Sequence, residues 1–104
     1  MPEIDLSLDN PAIYKDVEIE SFGGRKSFEV NQQNLDTIGR NINNYIKELK
    51  KSLNPDALDE FNKTVTLTGA TAIPVYLAAF HIVVHSFHEV RYKNEMYNII
   101  VARH

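Results

Sequence analysis

The stretch from Thr64 to His88, TVTLTGATAIPVYLAAFHIVVHSFH, constrains the fold more than any other part of the chain. It opens with threonine alternating with Val65 and Leu67, the pattern of a strand, and breaks at Gly69, where a tight turn costs little sterically. Thr71 is placed to cap the next helix, and Pro74 falls in a first helical turn, where no intrahelical donor is lost. From Ala72 to His88 the residues are apolar nearly all round, which predicts a helix buried by the fold or by a partner chain. A small domain has difficulty covering such a helix on every side, so dimerisation through part of it is expected. A helix starting at a strand's carboxyl end aims backbone N–H groups and a partial positive charge at whatever sits there, commonly phosphate. No Gly-Lys-Ser/Thr comes after it, so this is not a P-loop, and strand–glycine–helix junctions are often simply junctions.

The remaining elements are arranged around that unit. Ile4, Leu6 and Leu8 recur with period two and suit a short edge strand or a loose arm. Ile13 to Glu20 alternates mostly as a half-buried strand does, and Gly23-Gly24 predicts a hairpin returning through Ser27 to Val30. Leu35, Ile38, Ile42, Tyr45, Ile46, Leu49 and Leu53 form one apolar stripe, predicting a helix from about Gln32 to Leu53, N-capped by Asn31 and stopped at Asn54-Pro55. Lys47, Lys50 and Lys51 suit the negative end of its dipole and read as a solvated end. Pro55 to Phe61 suggests a helical turn. Glu89 to Lys93 and Met96 to Arg103 read as closing strands around a Lys93-Asn94-Glu95 turn, the last one buried on both faces. The expected architecture is α/β: a single compact domain, 1–104, of order ββαβαββ, its sheet packed against two helices.

Composition narrows the function. A chain of 104 residues, 43% hydrophobic, can close one core and not two. A net charge of −3 gives no bulk attraction to duplex DNA, RNA or an anionic membrane, so an anionic ligand has to be held by a local site. There is no cysteine, hence no disulfide or thiol chemistry, and the acidic N-terminus lacks the pattern of a signal peptide. The apolar run Ala72 to Phe80 is too short to span a bilayer. A cytoplasmic, soluble protein is expected.

His81, His85 and His88 stand at i, i+4 and i+7 of the expected helix, and His104 comes after a strand that could run beside it. The His81–His85 spacing allows two imidazoles to chelate one metal ion, and histidine with oxygen ligands suits Mn²⁺. No metalloprotease glutamate lies between them. Each histidine alone is more often structural; His81, His85 and His104 together on an apolar scaffold favour function, as acid, base or phosphate donor.

From Val65 to His104 the chain resembles the small CRISPR-associated ring nucleases, distant members of the CARF superfamily that bind and cleave cyclic oligoadenylate. The resemblance rests on Val65-Thr66-Leu67-Thr68-Gly69, then His81, Tyr92 and the run Ile99-Ile100-Val101-Ala102-Arg103-His104. Where that family carries Asp-Pro-Arg, this chain has Lys93-Asn94-Glu95, and Val84 stands where a second helix histidine is expected, with His85 beside it. The resemblance implies a CARF/Rossmann-like, homodimeric or higher homo-oligomeric protein that switches off antiviral signalling in type III CRISPR defence. Thr68, Gly69, Thr71, Lys93 and Arg103 would hold the ligand. His81, His85 and His104 would carry cleavage, with Mn²⁺ at His81 and His85, and the substrate's 2′-OH would attack with Arg103 or Lys93 stabilising charge. Binding carries over better than cleavage. The alternatives are a cyclic-nucleotide sensor and a small non-catalytic interaction protein whose apolar helix is a partner interface.

Overall fold

A computed structural model describes residues 2–104. Four strands make the main sheet: β1 (Glu3–Asp5), β4 (Thr64–Thr68), β5 (Glu89–Lys93) and β6 (Asn98–Arg103), in that spatial order. β1, β4 and β5 are parallel, and β6 returns antiparallel to β5 with a bulge at Val90/Arg91. The segment between β1 and β4 holds a two-stranded hairpin, β2 (Glu20–Phe22) and β3 (Arg25–Ser27), then α1 (Gln32–Lys50) and α2 (Pro55–Phe61). α3 (Ile73–Val84) crosses from β4 to β5. The result is one α/β domain with a mixed sheet and three helices, in the order βββααβαββ, one strand and one helix more than the sequence suggested. Among the described residues, no helix is long and apolar enough to cross a membrane.

The core lies between one face of the sheet and the helices. Ile38, Ile42 and Ile46 of α1 and Val75, Ala79 and Val83 of α3 close over Ile4, Val65, Leu67 and Val90. α1 and α3 pack closely enough that a Cβ on Gly39 would lie 3.8 Å from Ile82 Cδ1, an ordinary contact, so an alanine methyl fits there. The other side chains of β1, β4 and β5 point to the opposite face, as the period of two requires. Glu3, Thr66 and Arg91 lie in one register row there, and Lys93 Nζ reaches Glu3 Oε2 at 2.8 Å across β4. Thr66 is buried in this polar row, while Thr64 and Thr68 are half-buried.

Local signals worked where the backbone itself carried them. Asn31 accepts from Asn34 N at 2.8 Å and starts α1 at Gln32, and Asn54 caps α2 in the same way through Ala57 N. Gly23 and Gly24 both take positive φ, 58° and 80°, which a two-residue hairpin demands.

Several expectations fail for tertiary reasons. Ile13 to Glu20 is not a strand until Glu20: residues 11–17 form turns that bury Ile13, Tyr14 and Val17 together. Asn41 of α1 holds this segment by donating to Ile13 O at 2.9 Å and Lys15 O at 2.8 Å. The return strand of the hairpin ends at Ser27 rather than Val30. α3 ends at Val84 rather than His88, because the chain turns there to bury Phe87 against Phe61, ring centroids 5.5 Å apart. β6, expected to be buried on both faces, is an edge strand, with Ile99 and Val101 exposed. α3 is likewise buried on one stripe only, leaving Ile73 and Leu77 in solvent.

Candidate functional site

The carboxyl ends of β4 and β5, the loop into α3 and the β5–β6 turn enclose an open cleft of about 580 Å³, within the range of small-ligand pockets. Thr68, Gly69, Tyr76, Tyr92, Lys93 and Met96 line it. Parallel strands direct this convergence: β4 and β5 end side by side, Leu67 opposite Tyr92, so both loops beyond them open at the same edge.

Hydrogen bonds from tyrosines shape the Gly69–Thr71 loop. Tyr76 O–H donates to Gly69 O and accepts from Thr71 N at 3.2 Å. Tyr14 O–H lies 2.6 Å from Thr71 Oγ1 and 2.5 Å from Leu6 O. Burial pushes both phenols above the ordinary tyrosine value; for Tyr76 a side-chain hydrogen bond with Tyr92 adds to the effect. Thr71 therefore points inward and braces the loop, and the N-cap of α3 is Ala72, which has no side-chain cap bond. Gly69 has φ 94°, and a Cβ there would collide with Asp5 Oδ1 and come within 2.6 Å of Ser7 N. The glycine is required by the close approach of the β1 end, where Leu6 N donates to Thr68 O at 2.8 Å.

Of the residues expected to hold a ligand, Thr68, Gly69 and Lys93 meet in this cleft, with Thr71 directly behind it. Thr68 Oγ1 donates to Lys93 O at 2.9 Å and joins the two strand ends. The Lys93 ammonium pairs with Glu3, but both side chains are roughly half exposed, and such a pair is worth only ~0–1 kcal/mol. An incoming anion can therefore compete for it. Arg103 is elsewhere: it stands opposite Glu89 in the register, at the far end of the β5–β6 ladder.

The histidines also occupy that far end. His81 lies on the last turn of α3, His85 is its C-cap, and their rings meet edge to face with centroids 5.0 Å apart. The backbone carbonyl of His88, beyond the helix, accepts from His104 N at 2.9 Å, while His104 Nε2 sits 3.0 Å from Val84 O. All four are exposed. Among the described residues, no group of three or more His, Cys, Asp or Glu side chains is placed to hold a metal ion. From Ile73 to His85 the chain rises twelve residues at 1.5 Å each, ~18 Å. One protomer thus keeps Thr68, Gly69, Thr71 and Lys93 at one end of α3, and Arg103 with the candidate catalytic histidines at the other.

The sequence does not show the aromatic lining as such, although Tyr92 is among the residues that carry the resemblance. Tyr76 stacks edge-on against Tyr92 at 5.6 Å, and Tyr92 lies 6.1 Å from Tyr97. By hydrophobic pattern alone Tyr76 and Tyr92 read as ordinary apolar positions of a helix and a strand. The available signal is tyrosine in place of phenylalanine, since a phenol in a packed segment needs a hydrogen-bond partner. No protein-family model, no curated protein and no solved structure matches this chain.

Proposed function

We propose that this is a CARF-like protein whose cleft binds cyclic oligoadenylate, and that cleavage, where it occurs, uses the histidines at the other end of α3. The observation that carries the binding reading is the convergence of Thr68, Gly69 and Lys93 with the rings of Tyr76 and Tyr92 around one cleft. The cation and hydroxyl suit a phosphate. The rings suit an adenine, for which stacking contributes ~1–3 kcal/mol per base. In cleavage, the substrate's 2′-OH would lose its proton to an imidazole base and attack the adjacent phosphorus, breaking the bond to the 5′-oxygen, which leaves as a protonated hydroxyl. The product end is a 2′,3′-cyclic phosphate, and a cation would stabilise the developing charge. Mn²⁺ would be held by His81 and His85, with the remaining ligands coming from outside this pair.

Calorimetric titration with cyclic tetra-adenylate and cyclic hexa-adenylate, with and without Mn²⁺, tests the reading, with linear products monitored by chromatography. Lys93→Ala and Tyr92→Ala are each expected to weaken binding about tenfold or more, ~1.4 kcal/mol. Binding by the wild type that both variants retain unchanged would remove the cleft assignment. Products that survive both His81→Ala and His104→Ala would remove the histidine assignment. Binding without products would make the protein a sensor.

A second reading, a non-catalytic interaction protein, draws on the exposed Ile73 and Leu77 of α3. It predicts that neither ring binds.

A further inference from the structure

The two edges of the main sheet are built differently. β1 is three residues long, and two of them are the exposed acids Glu3 and Asp5. Shortness and charge are the means by which natural sheets keep an edge from pairing. β6 has six residues, pairs among the described residues only with β5, and runs Ile99-Ile100-Val101-Ala102 without proline, its one charge being the terminal Arg103. Ile99 is 47% and Val101 44% exposed. The open edge therefore lacks the shortness and the paired acids of the other edge, and carries only the bulge and the terminal Arg103.

The register of β6 allows an antiparallel self-pairing that matches on both faces. Ile99 and Ala102 lie opposite Tyr92 and Val90, on the helix side of the sheet. Asn98 and Arg103 lie opposite Lys93 and Glu89, on the polar side. The bulge makes this possible, because it lets residues of odd and even number share a face. A two-fold axis between Ile100 and Val101 sets Asn98 against Arg103 of a second copy, and Ile99 against its Ala102. Polar then meets polar, apolar meets apolar, and no charge faces a like charge. The symmetry is that of a closed dimer, in which each copy presents the same patch.

We propose that β6 pairs in this way with β6 of a second copy, and that the second copy lends Arg103 and His104 to the cleft. β6 starts beside the cleft, shortly after Met96, and ends at the histidine end of α3. Antiparallel pairing lays the end of one β6 beside the start of the other. Arg103 of the second copy then stands next to Asn98, two strand spacings, ~10 Å, from the Lys93 strand. A bound nucleotide can bridge that gap. The residues that one protomer separates along α3 thus meet at a shared mouth. The interface stands on strand geometry alone; the use of Arg103 and His104 there rests on the nucleotide reading above.

The chain has no cysteine, so engineered disulfides report the pairing directly. The double variant Asn98→Cys/Arg103→Cys, mildly oxidised, is expected to give a disulfide-linked dimer on non-reducing gels, while each single variant remains largely uncrosslinked. Sedimentation of the wild type at micromolar concentrations is expected to show a dimer, weakened about tenfold or more by Val101→Lys. Circular dichroism confirms that the variants are folded, as both cysteine sites are exposed. A monomeric wild type, or a double variant that crosslinks no better than the singles, overturns the interface. A dimer that binds neither ring leaves the interface standing and overturns the nucleotide reading. A dimer that binds the ring equally well with Arg103→Ala and His104→Ala overturns their contribution to the cleft.

Discussion

Gly69→Ala tests how the cleft is held together. At φ 94° a side chain is strained before it meets any neighbour, a cost of ~1–3 kcal/mol. The added Cβ would also collide with Asp5 Oδ1, and would come within 2.6 Å of Ser7 N and 3.0 Å of Leu6 N. The carboxylate can swing away; the two backbone nitrogens cannot move without pulling Leu6 N from Thr68 O. Overpacking of this kind costs a further ~1–3 kcal/mol. The combined loss of about 2–6 kcal/mol is a large part of the ~5–15 kcal/mol available to a domain. Urea unfolding monitored by circular dichroism measures it as a lower midpoint at unchanged slope. Asp5→Ala placed on the Gly69→Ala background should not rescue stability, because the backbone contacts persist and the Asp5–Ser7 hydrogen bond of 2.8 Å is lost as well. A Gly69→Ala loss below ~1 kcal/mol, or full rescue by Asp5→Ala, would refute the backbone-clash argument.

Two further perturbations rest on the same geometry. Tyr14→Phe removes a buried hydroxyl and leaves Leu6 O and Thr71 Oγ1 without it, an expected loss of ~1–3 kcal/mol by urea unfolding. The Tyr14 phenol titrates above its ordinary value of 10.0 when folded, chiefly through burial, so the folded state holds its proton more tightly than the unfolded chain. Its contribution is complete below that value and is lost as pH rises through the folded pKa; Tyr14→Phe should flatten this alkaline decline, and an unchanged decline would contradict it. Ile42→Ala, at a fully buried position, should cost ~2–5 kcal/mol, whereas Leu77→Ala, 65% exposed, should stay within ~0.5 kcal/mol in the monomer. Equal losses would mean that α3 is covered on more than one stripe.

Sequence and structure agree where a short segment carries its own instruction. The alternation over Thr64–Thr68, the Asn31 cap and the Gly23-Gly24 turn depend on neighbours one to three residues away, and each appears as read. The candidate ligand residues Thr68 and Gly69 were legible for the same reason, since they sit on a strand–turn–helix junction. Lys93 came from the resemblance, and only the parallel pairing of β4 with β5 brings it beside them. Tyr76 and Tyr92 were not legible as a lining, because their shared surroundings come from elements on both sides of the α3 crossover.

The sequence by itself determined an α/β domain, the strand that anchors it and the apolar helix after it, because hydrophobic period and turn chemistry are local. Only the tertiary structure decided which of those apolar faces are covered. Asn41 turns an alternating segment into buried turns, Phe87 ends α3 early by entering the core, and β6 becomes an open edge because, among the described residues, β5 is its sole neighbour. The same packing parts the histidines from the glycine turn, since a straight helix fixes their separation and no single protomer folds its two ends together.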